Sequence, residues 1–188
     1  RDGLVTGVQT CALPIFLAEW LEIMKHSIQK VTYASYTNAI HGVIIPCFEK
    51  KGITLEALQG KDIQSFYQEQ LERVKPNTVI LYHANIHKAL KYAVRTDLIP
   101  TNPADKVERP KAERFVGCFF DADEMTRLFA LVQGTKMEMP VLLGAFYGLQ
   151  RSEVIGLKWD AIDFTRNTIS IRHVVVSCNL HGQISTYE

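Results

Sequence analysis

The run Tyr147-Gly148-Leu149-Gln150-Arg151-Ser152-Glu153-Val154-Ile155-Gly156-Leu157-Lys158-Trp159-Asp160-Ala161-Ile162-Asp163-Phe164 marks the point where this chain changes character. An apolar helix is predicted before it, over roughly Met139 to Tyr147, and a shorter one within it, from Ser152 to about Leu157. Beyond Trp159-Asp160 the apolar residues stop recurring at helical spacing and begin to alternate. Thr168 to Val176 is rich in β-branched residues and reads as a strand, with Ile184 to Tyr187 as its partner. Before the run the chain is helical in period; from the run onward it reads as α+β.

Working back from it, a helix with Met125, Leu128, Phe129, Leu131 and Val132 begins at Asp121 or Asp123, and a domain opens near Phe119. Upstream of that, the stretch from Ile99 to Val116 is polar, basic and broken by Pro100, Pro103 and Pro110, so it reads as a linker. The clearest helical pattern lies before the linker: Val79, Tyr82, Ile86, Leu90, Ala93 and Val94 recur from Pro76 to Asp97, with Asn77 or Thr78 available as the cap. Further back, Leu17 to Gln29 is helical. Tyr33 to Lys50 is also helical but contains Pro46, which should kink or end it before Lys51-Gly52. Leu55 to Leu58 forms a turn of helix, and Asp62 caps the next helix, which carries Ile63, Phe66, Tyr67 and Leu71. Tyr33, Tyr36, Phe66, Tyr67 and Tyr82 are expected in the core. The predicted class is mainly α with a small α+β portion.

With 47% hydrophobic and 22% charged residues, the composition excludes wholesale disorder. The longest apolar stretch, Pro140 to Tyr147, is far short of the roughly 20 residues that cross a bilayer, and no secretory signal is recognisable, so a cytoplasmic location is expected. The net charge of +1 announces no partner by itself. Between Lys75 and Arg114, however, eight basic residues face four acidic ones, the local bias that phosphate binding requires. Within it Asn77, Thr78, His87, Lys88, Lys91 and Arg95 form the candidate DNA-binding cluster; capping and an ordinary solvated face are the alternative. The four cysteines are scattered without zinc-like spacing, and His83 and His87, though spaced i, i+4, have no evident third ligand. No metal or cofactor is expected.

The Tyr147–Phe164 run resembles the tyrosine-recombinase (phage-integrase) signature G-L-R-x-[SG]-E-hydrophobic-x-x-L-x-W-x-D-I-D. Ile99-Pro100-Thr101-Asn102-Pro103-Ala104 is similar to that family's exit from its DNA-gripping helical domain, and Phe120-Asp121-Ala122-Asp123-Glu124-Met125 to the opening of its catalytic domain. The resemblance covers about Leu17 to Glu188. It implies a SAM-like core-binding helical bundle over residues 17–100, a linker over 101–118, and the N-terminal part of a catalytic domain over 119–188. It also implies a C-shaped clamp around duplex DNA at attachment sites, self-association on DNA, and strand exchange through a 3′-phosphotyrosyl intermediate without metal. The element concerned would be a phage or other mobile element.

Two departures bear on chemistry. The family's first catalytic arginine stands directly after Gly-Leu, where this chain has Gln150. Glutamine is neutral and lacks the guanidinium fork that holds two phosphate oxygens. Arg151 is adjacent but leaves the turn in another direction, which makes it a poor substitute. The family's lysine, later histidines, second arginine and nucleophile fall beyond Glu188, and no H-x-x-R motif occurs in the chain. A fragment that grips DNA without cutting it is the expectation, with a catalytically dead protein occupying recombination sites as the alternative. Glu153 and Trp159 are expected to hold the turn together rather than to react.

Val5 to Ile15 resembles the conceptual translation of a sequencing-library adapter, with Arg1-Asp2 matching the adjoining primer. Residues 1–16 are accordingly set aside from the fold, and Arg1 to Ile15 is expected to pack poorly.

Overall fold

The computed structural model describes residues 12–180 and 183–187. Most of the chain up to Arg114 forms one compact unit, and Phe115–Asn179 forms most of a second. The protein is mainly helical, and among the described residues its strands all follow Ala161.

Among the described residues the first unit holds five α-helices: α1 (Leu13–Met24), α2 (Lys30–Ala39), α3 (Ile45–Lys51), α4 (Gly60–Leu71) and α5 (Pro76–Arg95). Phe66 stands at the centre of its core, with ring centroids 5.3 Å from Phe48, 5.9 Å from Tyr67 and 6.0 Å from Tyr82. Trp20, Leu21, Ile40, Ile63, Val79 and Leu90 close around this aromatic group and are almost wholly buried. Tyr33 and Tyr36, expected in the core, only line its edge, because their hydroxyls reach out to Glu22 at 2.7 Å and to the Lys88 ammonium at 3.2 Å.

Pro46 neither kinks nor ends its helix in a simple way. Five residues, Ile40–Ile44, form a π-helical turn between α2 and α3, and the Ile45 N–H reaches back to the Ile40 carbonyl. Proline has no N–H to give and its ring crowds the carbonyl four residues before it. A wider turn placed just ahead of Pro46 relieves that conflict without breaking the run. Gly52 then stops α3 in the left-handed conformation, φ 60°. Leu55 to Leu58 is turn rather than helix, although Leu55 and Leu58 are buried. The helix α4 starts at Gly60, so Asp62 sits inside its first turn and caps from there, accepting the Gln59 N–H at 2.9 Å.

Two sequence-level boundaries need correction. Leu13, Pro14 and Ile15 belong to α1, Leu13 is 1% exposed, and its N–H donates to the Ile53 carbonyl. The expectation of poor packing therefore fails from Leu13 onward, whatever the origin of the string; residues 1–11 lie outside the described residues. Proline at the start of α1 and the apolar Leu13 and Phe16 suffice to nucleate and bury that end. Likewise, residues 101–114 are no loose linker. Ala104 is buried, a 3-10 turn spans Pro103–Lys106, and Val107 packs against the core.

The second unit contains α6 (Ala122–Val132), α7 (Glu138–Tyr147) and α8 (Arg151–Gly156), then β1 (Ile162–Asp163), β2 (Thr168–Ile169), β3 (Val176–Leu180) and β4 (Gln183–Tyr187). Asp121, not Asp123, caps α6, exchanging bonds with Glu124 at 2.8 and 2.9 Å. The single strand predicted over Thr168 to Val176 is in fact two. Thr168–Ile169 turns back antiparallel on Ile162–Asp163, with Asn167 in the left-handed region making the tight return, and Val176–Leu180 pairs separately with β4. Between β2 and β3 the backbone crosses α8, where the Val175 N–H donates to the Ser152 carbonyl at 2.9 Å. Gly156 permits that crossing: a Cβ there would lie 2.7 Å from the His173 carbonyl oxygen and 2.8 Å from Val174 Cα.

These close neighbours are backbone atoms and cannot rotate away. Gly156→Ala should therefore destabilise the second unit by about 1–3 kcal/mol, the usual range for overpacking. Amide exchange at Val175 should accelerate while Leu90 in α5 stays protected. Unchanged exchange at Val175 would show that the crossing is not held this way.

Candidate nucleic-acid interface

The candidate surface is built on α5. Twenty residues long, it buries Val79, Tyr82, His83, Asn85, Ile86, Ala89, Leu90 and Ala93 against the other helices. At 3.6 residues per turn, Asn77, Ala84, Lys88, Lys91 and Arg95 then fall within about 60° of arc on the opposite side. Lys88, Lys91 and Arg95 are exposed. Two of them are steadied by aromatic faces: the Lys88 ammonium lies 5.1 Å from the Tyr36 ring centroid, and the Arg95 guanidinium 5.5 Å from that of Tyr92. Such contacts fix a cation's direction without neutralising it, as an anion-binding surface requires.

The other sequence candidates have different tasks. Neither Asn77 nor Thr78 caps the helix. Pro76 occupies its first turn, where a missing N–H costs nothing, and Lys75 is the capping position, without a side-chain bond. Asn77 instead uses both ends of its amide on the backbone of Glu113, donating to the carbonyl and accepting from the N–H, each at 3.0 Å. Thr78 is half-buried. His87 faces Asp105, Nε2 to Oδ1 2.8 Å.

Residues 102–113 run back along α5 as a strap. Asn102 donates to the His87 carbonyl, Asp105 meets the His87 ring, and Glu108 exchanges two bonds with Gln64 of α4 at 3.0 and 3.4 Å. The pairing of Glu113 with Asn77 comes last. Order is reversed along the helix, from His87 to Asn77, so the strap is antiparallel to α5. Ile80 shares a shallow groove with Val107, Glu108, Arg109 and Lys111. The strap carries Lys106, Arg109, Lys111 and Arg114, all exposed. They contribute to the basic bias of the sequence, yet nothing in spacing shows that the chain folds back to set them beside α5.

Beneath the strap lies a buried polar pair. Tyr67 Oη is 2.7 Å from His83 Nδ1, and the His83 ring stacks on His87 at 5.6 Å. Burial raises the Tyr67 pKa well above the ordinary phenol range, with the Arg109 charge opposing. Burial also lowers that of His83, helped by the charges of His87 and Arg109 and opposed by Asp105. A protonated phenol beside a neutral imidazole means that Tyr67 donates and His83 accepts. Among the described residues no group of three His, Cys, Asp or Glu side chains could hold a metal.

In the second unit, Gln150 stands at the N-cap of α8 and its N–H donates to the Glu153 carboxylate at 2.7 Å. Glu153 thus holds the turn, as its place in the signature suggests. Gln150 and Arg151 are both exposed, but Arg151 already lies in the first helical turn. Trp159 does not hold the turn. It is 81% exposed, on the rim of an open apolar groove with Met139, Leu143 and Ile162.

A helical bundle with an outward cationic stripe is followed by a unit that carries the Gly148–Asp163 run. Residues 13–71 match the family described as phage integrase, N-terminal SAM-like domain. A tyrosine recombinase XerC-like protein of Caldanaerobacter subterraneus subsp. tengcongensis is 25% identical over 184 residues, covering 93% of this chain and 46% of its own length. The chain therefore spans about half of that relative. Among solved structures, the Tn1549 transposon integrase in complex with circular intermediate DNA superposes with a TM-score of 0.72 at 14% identity, over 94% of this chain and 59% of its own. A lambda integrase dimer bound to a COC′ core site gives 0.69 at 15%, over 93% and 61%. The chain thus carries, over residues 13–71, a match to the phage-integrase N-terminal SAM-like domain, and its fold is that of the core-binding and catalytic domains of these integrases.

The Tyr67–His83 pair makes stability depend on pH. An imidazole whose folded pKa lies below 6.5 is protonated first in the unfolded chain. Its contribution is thus complete above pH 6.5 and is lost as the pH falls through and below that value. Urea unfolding of the first unit should show this loss as the pH is lowered through 6.5, and His83→Gln should remove it. An identical acid loss in His83→Gln would assign it elsewhere.

Proposed function

We propose that this chain is the DNA-gripping portion of a site-specific tyrosine recombinase from a phage or other mobile element, and that it binds duplex DNA at attachment sites through α5. The observation that carries this is the stripe of Lys88, Lys91 and Arg95, exposed along a helix whose opposite face is the core. The similar Tn1549 and lambda integrases were solved on DNA, the latter as a dimer and as a tetramer on a Holliday junction. Self-association on DNA is accordingly part of the proposal for the whole protein. Lys88, Lys91 and Arg95 are the phosphate contacts. His87 and Asn77 belong to the same surface, acting through the strap; Thr78, half-buried and about 80° of arc from Lys88, is its most remote member. No helix among the described residues is long and apolar enough to cross a membrane, and none of this surface calls for one.

In the whole enzyme, a tyrosine hydroxyl would attack a phosphodiester, break its P–O5′ bond to release a 5′-hydroxyl, and hold the 3′-phosphate until the 5′-hydroxyl of another strand displaces the tyrosine. The increased charge of the transition state calls for arginine at the turn before α8. Gln150 supplies hydrogen bonds there but no charge. This favours a second reading, a recombinase-like protein that occupies sites without cutting them. On both readings this chain forms no covalent adduct with DNA.

Binding should be salt-dependent, and Lys91→Ala with Arg95→Ala should make log K against log salt shallower by about 0.9 for each phosphate no longer neutralised. The double substitution leaving the slope untouched would move the DNA surface away from α5. A phosphotyrosyl adduct trapped on a nicked attachment-site duplex would overturn the absence of cleavage.

A further inference from the structure

We propose that Gln64 and Asn77 are positioning residues, whose side-chain amides hold the 106–114 strap against the bundle so that its basic side chains join the α5 stripe in one phosphate-binding surface. The proposal rests on the DNA reading above and adds to it the part of the surface that α5 alone does not supply.

The geometry is specific. A primary amide has one acceptor and one donor group, which can pair with the C=O and N–H of a single residue as a neighbouring strand would. Asn77 does this to Glu113 and Gln64 does it to Glu108, in each case more than thirty residues away in sequence. An irregular segment that has no partner strand thereby has backbone groups satisfied at two points. Between and beyond them Lys106, Arg109, Lys111 and Arg114 stay exposed. The Asn102 and Asp105 contacts to His87 anchor the strap's other end.

The location is equally specific. His87 and Ile80, which the strap touches, lie on α5 next to the arc of Lys91, Lys88 and Arg95, within about 40° of its edge at 3.6 residues per turn. A held strap therefore sets a second row of cations beside the first. Released, the same cations would belong to a fluctuating chain, and fixing them on DNA would cost conformational entropy at every backbone residue ordered. The two amides carry no charge, so any effect of removing them on the salt dependence of binding must come through the cations they position.

The test uses the 188-residue chain and a short mixed-sequence duplex, with affinity measured across a salt series. Gln64→Ala with Asn77→Ala should make log K against log salt shallower by about two, the equivalent of two phosphate contacts. Amides of residues 108 and 113 should lose exchange protection while those of α5 keep theirs. Neutralising Lys106, Arg109, Lys111 and Arg114 to Ala, with both amides intact, should lower the slope at least as much. Combining the two sets should cost less than their sum. If the parent binds duplex but the amide substitutions leave its slope unchanged, or if the two losses simply add, the positioning role is wrong while the DNA reading stands. Should the amide substitutions unfold the bundle, the neutralised strap still decides: a slope equal to the parent's overturns the proposal. A parent without salt-dependent binding would overturn the DNA reading and this inference together.

Discussion

Two demands meet on one helix. Over its twenty residues α5 presents a buried face, apolar except for His83 and Asn85, to the aromatic group around Phe66, and its geometry then leaves a second face turned away from that group along its whole length. Once Val79, Ile86, Leu90 and Ala93 are buried, Lys88, Lys91 and Arg95 have no inward option. The cationic stripe is thus a consequence of core packing, and its rigidity comes from the same contacts. Burying the larger of these side chains is worth about 1.5–3 kcal/mol each, far more than an exposed cation costs in solvated rotamer freedom. The core therefore dictates where charge is displayed.

The rest of the first unit follows from serving that helix. The π-helical turn carries the chain from α2, which packs on α5, into α3 in spite of Pro46, and the strap returns along the flank of α5, held there by α4 as well. In the second unit the equivalent constraint is a backbone crossing at Gly156, which brings the segment before β3 onto α8 and with it the turn that carries Gln150. The Glu153 carboxylate binds the backbone N–H of residue 150, a bond that does not depend on which side chain stands there. At this position that half of the cap and the charge of the side chain are separable.

Much of this was legible from the residues. The 3.6-residue period found α5, α6 and α7 within a few residues and α1 displaced by about a turn, and the Gly-Leu-Gln-Arg-Ser-Glu run located the turn before α8. What escaped was whatever depends on contacts distant in sequence. Asn77 looks like a cap because it follows a proline at a helix start; only the folded chain shows Glu113 in reach of it. Residues 101–114 look like a linker because they are polar and proline-rich, and their docking depends on Ala104 and Val107 finding the core. The strand predicted over Thr168 to Val176 is divided because β propensity reports which residues suit a strand and not where the chain turns. Leu13 misled in the opposite sense: a segment that resembles extraneous sequence can still bury an apolar side chain.

The chain has two tryptophans, and they fall one to each unit in contrasting surroundings. Trp20 is 1% exposed and stacked at 6.1 Å on Tyr36; Trp159 is 81% exposed. The protein therefore contains two intrinsic optical reporters whose emission differs in colour and in access to a dissolved quencher. Red-shifting of the blue component tracks the opening of the helical bundle, and quenching of the red component tracks the surroundings of the signature turn. Whether the two units melt as one body or in succession can be read from a single unlabelled sample.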